Sequence, residues 1–237
     1  MRFFMQHVSR GIITWITLLA AALLIGACGT STKKELPAVS DDGLVLVEGT
    51  QADAVYKLPD ADFGQYELVY IANVEVAFRK DWLEDQNRDR VSVSRRITQE
   101  DADKIKQAVA EEFTKIFTEE LQKGGYTVVA SPSEAGPADD VLALLPAIVN
   151  LDVTAPDTMT AGRARTYTTS AGSMTLYLEF HDALTGALIG RVVDTQAGWD
   201  SGRMRITNRV TNTAEADRML REWAKKLVKR LDNVNDS

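Results

Sequence analysis

Two short stretches hold the side chains of this sequence that could do chemistry. Cys28 is the only cysteine among the 237 residues, and it ends the run Leu23-Leu24-Ile25-Gly26-Ala27. A thiolate is a strong nucleophile, so a cysteine at this place can be alkylated and can carry a lipid. His181 and Asp182 stand side by side and are of the types that activate a serine nucleophile. Because Cys28 has no second cysteine to pair with, no intrachain disulfide can form.

The residues before Cys28 have the composition of a secretory signal. Arg2 and Arg10 make the start basic, and residues 11–27 are uncharged and mostly apolar. A basic start, a short apolar core and a small-residue exit are typical of a signal peptide. The apolar run of about 17 residues is at the lower limit of what spans a bilayer. Residues 1–27 are therefore predicted to be a signal peptide, with an uncleaved membrane helix and a chance cysteine as the alternatives.

Ile25-Gly26-Ala27-Cys28 resembles the bacterial lipobox, in which an aliphatic residue and two small residues precede the cysteine. The resemblance implies cleavage before Cys28, an S-diacylglycerol group on its sulfur and an N-palmitoyl group on its amino nitrogen. Two or more acyl chains anchor a protein stably, whereas one holds it only marginally. Gly29, rather than aspartate, follows Cys28, as in lipoproteins that are sorted to the outer membrane. We therefore expect a lipid anchor in the cell outer membrane, with the remaining chain facing the periplasm.

Composition limits the partners and the number of domains. Removing residues 1–27 takes Arg2 and Arg10 away and lowers the net charge from −7 to −9. Nucleic acid needs a basic footprint, so an acidic chain is a poor partner for it. The same acidity disfavours adhesion to anionic lipid by charge alone. The rest of the chain suits one folded domain, and we expect a tether over residues 28–65 and an α+β domain over residues 66–233. The tether contains one apolar patch, Leu44-Val45-Leu46-Val47, and pairing of this patch as a short strand is an alternative that would shorten the free length.

Hydrophobic periodicity predicts the elements of that domain. Alternating apolar and polar residues predict strands over 68–78, 126–130, 142–153, 174–180 and 187–196. One helix is predicted from the N-cap Thr98 to Gly124-Gly125, and a second over residues 213–232. The connecting segments 79–96, 131–140 and 154–170 are predicted to be loops, and 181–186 a hairpin turn. This order indicates a two-layer α+β sandwich, a mainly antiparallel sheet with two amphipathic helices packed on one face.

Several short motifs follow one another along the chain. Leu58-Pro59-Asp60-Ala61-Asp62 and Tyr66 come first, then a V-x-V strand and the long helix that ends in Gly-Gly. Asp182-Ala183-Leu184-Thr185-Gly186 and a closing helix with Trp223 complete the series. Together with the lipobox, these motifs resemble a proteobacterial lipoprotein family, domain of unknown function 3313. The resemblance covers about residues 28–233 and implies no catalytic residue, because the family offers none to carry over.

The residue types in the chain offer little for catalysis or cofactor binding. His181 is the only histidine after Cys28, and the adjacent Asp182 is of a type that fixes a turn through its own backbone. Zinc sites of the Cys/His type are excluded by the number of ligands. The sequence contains no G-x-S-x-G, no H-E-x-x-H and no phosphate-binding glycine loop. We therefore expect no catalytic residue, no metal and no cofactor.

Arginines near a tryptophan are the strongest candidates for binding. Arg163 and Arg165 lie in one predicted loop, and Arg203 and Arg205 follow Trp199 in another. An exposed tryptophan beside arginines suits a protein hot spot or a phosphate contact on a glycolipid. The alternative is a solvated loop with Trp199 folded inward, which has no binding role. The candidate binding residues are Trp199, Arg203 and Arg205.

These observations favour an outer-membrane lipoprotein with a non-catalytic periplasmic domain, a structural or accessory binding module in the cell envelope. A second interpretation is a lipoprotein that binds peptidoglycan or lipopolysaccharide. A third is an envelope hydrolase that uses His181. The expected partners are the membrane, through the lipid at Cys28, and an envelope protein or glycan, with no nucleic acid.

Overall fold

A computed structural model describes residues 36–88, 90, 96–136, 140–155, 166–170, 172–198, 200–207 and 209–235. Residues from Pro37 onward form one compact unit. Its elements in chain order are β1 (Val45–Leu46), β2 (Ala54–Lys57), β3 (Leu68–Ile71), β4 (Glu75–Phe78), α1 (Trp82–Asn87), α2 (Gln99–Lys123), β5 (Thr127–Val129), β6 (Val141–Asp152), β7 (Thr166–Ser170), β8 (Ser173–Asp182), β9 (Leu188–Ala197), β10 (Asp200–Thr207) and α3 (Arg209–Asn235). Over these ranges, no helix is both long and apolar enough to cross a bilayer.

The main sheet is mixed, with antiparallel pairs at its centre. Its order is β1-β2-β9-β8-β6-β3-β5, and β4 also pairs with β6. The pairs from β1 through to β6 are antiparallel. β3 and β4 run parallel to β6, and β5 runs parallel to β3. β7 and β10 form a separate antiparallel ribbon that continues β8 and β9 along the chain.

The helices α2 and α3 cover one face of the main sheet. Every second residue of β8, from Met174 to Phe180, is buried in a single core with residues of both helices. The helix residues of this core include Phe113, Ile116, Phe117, Leu121, Leu220, Trp223, Leu227 and Leu231. The residues between them on β8 are only partly buried, because they lie on the other face of the sheet. The predicted α+β sandwich with two helices on one face is confirmed.

Local signals place the ends of α2 as the sequence predicts. The Thr98 hydroxyl accepts a hydrogen bond from the Asp101 N–H at 3.1 Å, and the Asp101 carboxylate accepts one from the Thr98 N–H at 3.0 Å. This reciprocal pair is a capping box. Gly124 ends the helix, and a Cβ added there would lie 2.5 Å from Cγ1 of Val228 on α3. Glycine at this position therefore lets the two helices approach each other.

The folded domain begins earlier than the sequence predicts. Part of the predicted tether over residues 28–65 belongs to the compact unit, which starts at Pro37. β1 pairs with β2 and β2 with β9, while Leu44, Ala54 and Tyr56 are buried together. β1 falls within the apolar patch 44–47, for which the sequence left a short strand open, whereas the 4 residues of β2 are too few for a hydrophobic period to stand out. The remainder of the predicted tether, residues 28–35, lies outside the described residues.

The strand predicted over 68–78 is two strands, β3 and β4, which lie one after the other along the same edge of β6. Pro146 of β6 falls at the break between them. The N–H of Ala72 donates to the carbonyl of Leu144 at 2.9 Å, so this carbonyl faces the edge of β6 that pairs with β3 and β4. The nitrogen of Pro146, two residues after Leu144, faces the same edge. No ladder bond is lost where the neighbouring strand is interrupted, and proline is tolerated inside a central strand.

Three segments predicted as loops contain regular structure. Within 79–96, α1 buries Trp82, whose indole N–H donates to the carbonyl of Val153 at 2.7 Å. Within 154–170, the last five residues form β7. β10 likewise occupies the segment of Arg203 and Arg205. Strands as polar as β7 and β10 carry little apolar alternation, which is the signal that predicts strands from sequence.

Candidate binding groove

The loop after β2 and the turn between β8 and β9 form the walls of one groove, which we call the acidic groove. Its volume is about 360 Å³. Its lining residues are Leu58, Pro59, Asp60, Ala61, Asp62, Gln65, Tyr66, Asp182, Thr185, Ala187 and Ile189. Two of the motifs that carry the family resemblance therefore lie together, although Tyr66 and Asp182 are 116 residues apart in the sequence.

Hydrogen bonds within the β8–β9 turn build one wall of the groove. One carboxylate oxygen of Asp182 accepts from the N–H of Thr185 at 2.7 Å and from its hydroxyl at 2.6 Å. Gly186 has a φ of +73°, a conformation that favours glycine. Its N–H donates to the carbonyl of Asp182 at 2.8 Å. The structure thus confirms the hairpin turn that the sequence predicts over 181–186.

The loop from Leu58 to Tyr66 builds the opposite wall. The N–H of Leu58 donates to the carbonyl of Ile189 at 2.9 Å, which continues the pairing of β2 with β9. Phe63 packs edge-on against Phe180, with 5.6 Å between the ring centroids. A Cβ added at Gly190 would meet the tip of Phe63 at 3.2 Å, so glycine makes room for this ring. The loop is therefore held to the sheet by both backbone bonding and aromatic packing.

One hydrogen bond joins the two walls directly. The hydroxyl of Tyr66, a residue only 2% exposed, donates to the second carboxylate oxygen of Asp182 at 3.0 Å. Burial, followed by the contact with Asp182, raises the pKa of Tyr66 to about 12. The hydrogen bonds from Thr185, together with that from Tyr66, lower the pKa of Asp182. At neutral pH the contact is therefore a charge-assisted bond from a neutral phenol to a carboxylate.

The lining of the groove combines apolar side chains with negative charge. It contains the carboxylates of Asp60, Asp62 and Asp182 and no basic side chain. Asp60 and Asp62 are exposed, and neither forms an ion pair with another described residue. The apolar part of the lining is Leu58, Pro59, Ala61, Ala187 and Ile189. Charge complementarity favours positive charge opposite the carboxylates. The apolar lining residues favour apolar groups beside it.

The structure does not assemble His181 and Asp182 into a catalytic pair. Whereas Asp182 bonds to Tyr66, Nε2 of His181 lies 3.0 Å from a carboxylate oxygen of Glu179, and Nδ1 lies 3.2 Å from the carbonyl of Gly186. Neighbouring residues on a strand point to opposite faces of the sheet, which explains the separation. The hydrolase interpretation thus loses the pair on which it depended.

His181 instead belongs to a polar cluster on the sheet face opposite the helices. The carboxylate of Glu179 accepts from Arg191 at 2.8 Å and from the hydroxyl of Tyr177 at 3.0 Å. Arg191 also forms an ion pair with Asp42, in the turn before β1. A hydrogen bond from Ser40, together with Arg191, lowers the pKa of Asp42. The cluster ties the segment before β1 to the centre of the sheet.

The residues predicted for lipidation and binding fall outside this groove. Cys28 and Trp199 lie outside the described residues, as does the predicted pair Arg163 and Arg165. Arg203 and Arg205 lie on β10, where Arg205 is in register with Thr168 of β7. Within the described ranges, no group of three or more His, Cys, Asp or Glu residues could hold a metal ion.

Both walls of the acidic groove are recognisable motifs in the sequence, but the sequence does not predict that they form a site. Both are turn-forming stretches, which places each of them at the surface. Their proximity depends on the pairing of β2 with β9, and β2 is too short to be predicted. The available signal was the pair of aspartates in Leu58-Pro59-Asp60-Ala61-Asp62, beside apolar residues.

The fold and the groove define a small two-layer α+β domain with an acidic groove on its surface. Residues 35–227 match the protein family of unknown function DUF3313, and the chain belongs to this family. The resemblance stated from the motifs is thereby confirmed. A comparison with curated proteins finds no match.

Several solved structures are similar at low scores. A PelC dodecamer from Paraburkholderia phytofirmans has 12% identity and a TM-score of 0.37, over 72% of this chain and 96% of that one. A minor lipoprotein from Acinetobacter baumannii has 10% identity and a TM-score of 0.31, over 70% and 92% of the two chains. TM-scores this low transfer nothing about architecture or role to this chain.

Proposed function

We propose that this chain is an outer-membrane lipoprotein anchored through acylated Cys28, whose α+β domain is a non-catalytic accessory module for an envelope protein. The main support for a binding role is the acidic groove. The lipobox Ile25-Gly26-Ala27-Cys28 supports the envelope location. Membership of the family, over residues 35–227, is compatible with both parts of the proposal.

The protonation of the groove supports binding rather than proton transfer. A general acid or base works best with a pKa near the operating pH. The pKa of Tyr66 is raised to about 12 and that of Asp182 is lowered, so both move away from neutrality. Both oxygens of Asp182 are also occupied by bonds that build the groove. These two groups therefore act as structural and electrostatic elements.

The shape and charge of the groove indicate the chemistry of the partner. Its volume of about 360 Å³ is near the lower end of the range for ligand pockets, about 300–1,000 Å³, and suits a few side chains of a protein segment. Asp60 and Asp62 lie on one wall. Leu184, at the tip of the other wall, is 78% exposed. A segment with apolar side chains and at least one lysine or arginine would complement this surface.

Site-specific crosslinking in cells tests the proposal. A photo-crosslinking amino acid at Leu184 should capture one recurrent envelope protein, and the adduct should disappear in a Cys28→Ala form. The double variant Asp60→Lys, Asp62→Lys should lose the adduct by reversing the charge of one wall. Glu48→Lys with Glu75→Lys is the matched control, because it adds the same charge at exposed positions outside the groove. An adduct that survives both double variants would refute the role of the acidic groove.

Two further measurements separate the parts of the proposal. The intact mass of the purified protein should correspond to a chain that begins at Cys28 and carries extra acyl mass. Sedimentation with purified sacculi or glycolipid should be the same for wild type and for Arg203→Glu with Arg205→Glu. A loss of sedimentation in that variant would favour the second interpretation, a lipoprotein that binds peptidoglycan or lipopolysaccharide.

A further inference from the structure

Exposed apolar side chains are concentrated in the segment that follows the anchor. In the described part of the chain, the large apolar residues with high exposure are Leu36 (44%), Val39 (55%), Val45 (38%), Leu145 (38%) and Leu184 (78%). Single exposed apolar residues are ordinary on a protein surface, so the feature to explain is exposed apolar residues that are neighbours. Val39 and Val45 are bridge partners, so they lie side by side, and we call them the anchor-side pair.

The anchor-side pair is presented on a well-fixed corner of the domain. Leu44, beside Val45, is fully buried. The hydroxyl of Tyr56 donates to the carbonyl of Pro37 at 3.0 Å. The ion pair between Asp42 and Arg191 joins the intervening turn to β9. The inward position of this corner is occupied by Leu44, and the two valines are exposed on a segment that is tied to the folded domain.

The length of the chain places this corner near the lipid anchor. Residues 28 and 37 are nine peptide units apart, which span at most about 32 Å when fully extended. A group tethered over so short a distance meets the bilayer at a high effective concentration. An apolar surface that is exposed to water is covered favourably by the interfacial region of a membrane.

We infer that Val39 and Val45 contact the bilayer that holds the acyl chains of Cys28, and that this contact orients the domain on the membrane. The inference rests on the proposed acylation of Cys28. The acyl chains keep the protein at the membrane, and the anchor-side pair determines which side of the domain faces it. The turn between the two valines carries the acidic residues Asp41 and Asp42, so charge does not attract this corner to anionic lipid. Apolar burial therefore drives the contact.

Fluorescent labels on the full acylated protein test the inference. Acylation consumes the thiol of Cys28, so a Val39→Cys variant has a single reactive thiol for a polarity-sensitive fluorophore. The protein is reconstituted in vesicles of phosphatidylethanolamine and phosphatidylglycerol, with and without lipids brominated on their acyl chains. Leu184→Cys is the matched control, because Leu184 is also an exposed apolar residue, at the β8–β9 turn. Val45→Cys provides a second label position if the first variant folds poorly.

The label at position 39 or 45 should shift to shorter wavelength and be quenched by the brominated lipids, and the label at 184 should do neither. Equal emission and quenching at all positions would overturn the inference while leaving the anchor intact. The intact mass of the same preparations shows separately whether Cys28 is acylated. A mass without acyl groups would overturn the proposed function, and this inference with it.

Discussion

Replacing Tyr66 with phenylalanine removes one hydroxyl and tests how the acidic groove is held together. The side chain is buried, and its hydroxyl donates to Asp182 at 3.0 Å. The ring stays in place in Tyr66→Phe, so the packing of the loop against the sheet is retained. The bond between the two walls of the groove is lost.

The structure sets the size of the effect and its dependence on pH. A hydrogen bond to a charged group contributes about 1.5–3 kcal/mol, so Tyr66→Phe should lower the free energy of unfolding by about that amount at pH 7. The pKa of Tyr66 is raised from 10.0 to about 12 in the folded protein. A raised pKa stabilises the fold below the unfolded value, and this stability, on the order of 2–3 kcal/mol here, is lost as pH rises from about 10 through 12. The difference between wild type and Tyr66→Phe should therefore shrink over that window.

Urea unfolding followed by circular dichroism, from pH 7 to pH 11.5, measures this difference on a chain that begins at residue 29. Tyr70→Phe is a matched control, because Tyr70 lies on β3, outside the groove lining, and is only partly buried. At pH 7 it should cost less stability than Tyr66→Phe, because Tyr70 makes no bond between the two walls of the groove. A difference between wild type and Tyr66→Phe that stays constant across pH 9–11.5 would refute the raised pKa of the buried Tyr66, and a cost under about 0.5 kcal/mol at pH 7 would refute its bond to Asp182.

Three further predictions concern the core and the turn. Trp223→Phe removes an indole N–H that donates to the buried Asp194 at 2.8 Å, and should cost about 1.5–3 kcal/mol in urea unfolding; a cost under about 0.5 kcal/mol would contradict this bond. Gly124→Ala places a Cβ 2.5 Å from Val228 and should destabilise by about 1–3 kcal/mol. Adding Val228→Ala should recover part of that loss, and no recovery would disprove the clash. The lowered pKa of Asp182 stabilises the fold above its unfolded value, so wild type should lose stability below about pH 4 more steeply than Asp182→Asn; parallel acid limbs in urea unfolding would refute it.

The sequence alone was sufficient for features whose causes are local. The capping box of Thr98 and Asp101, the glycine end of α2 and the hairpin turn after β8 each depend on residues a few positions apart. The alternation of β8 and the apolar stripe of α3 report a buried face directly. These signals predicted the α+β class, both long helices and the β8–β9 hairpin, since period and capping are set by the backbone geometry of one element.

Only the tertiary structure decided where the domain begins and where its groove lies. Strands as short as β1 and β2 have no stable pattern of their own and form because β9 offers an edge to pair with. That pairing carries the loop at Leu58 to the turn at Asp182, and the hydroxyl of Tyr66 joins them. Which distant segments pair depends on which arrangement buries the apolar face of the whole sheet. A short window of sequence does not contain that information.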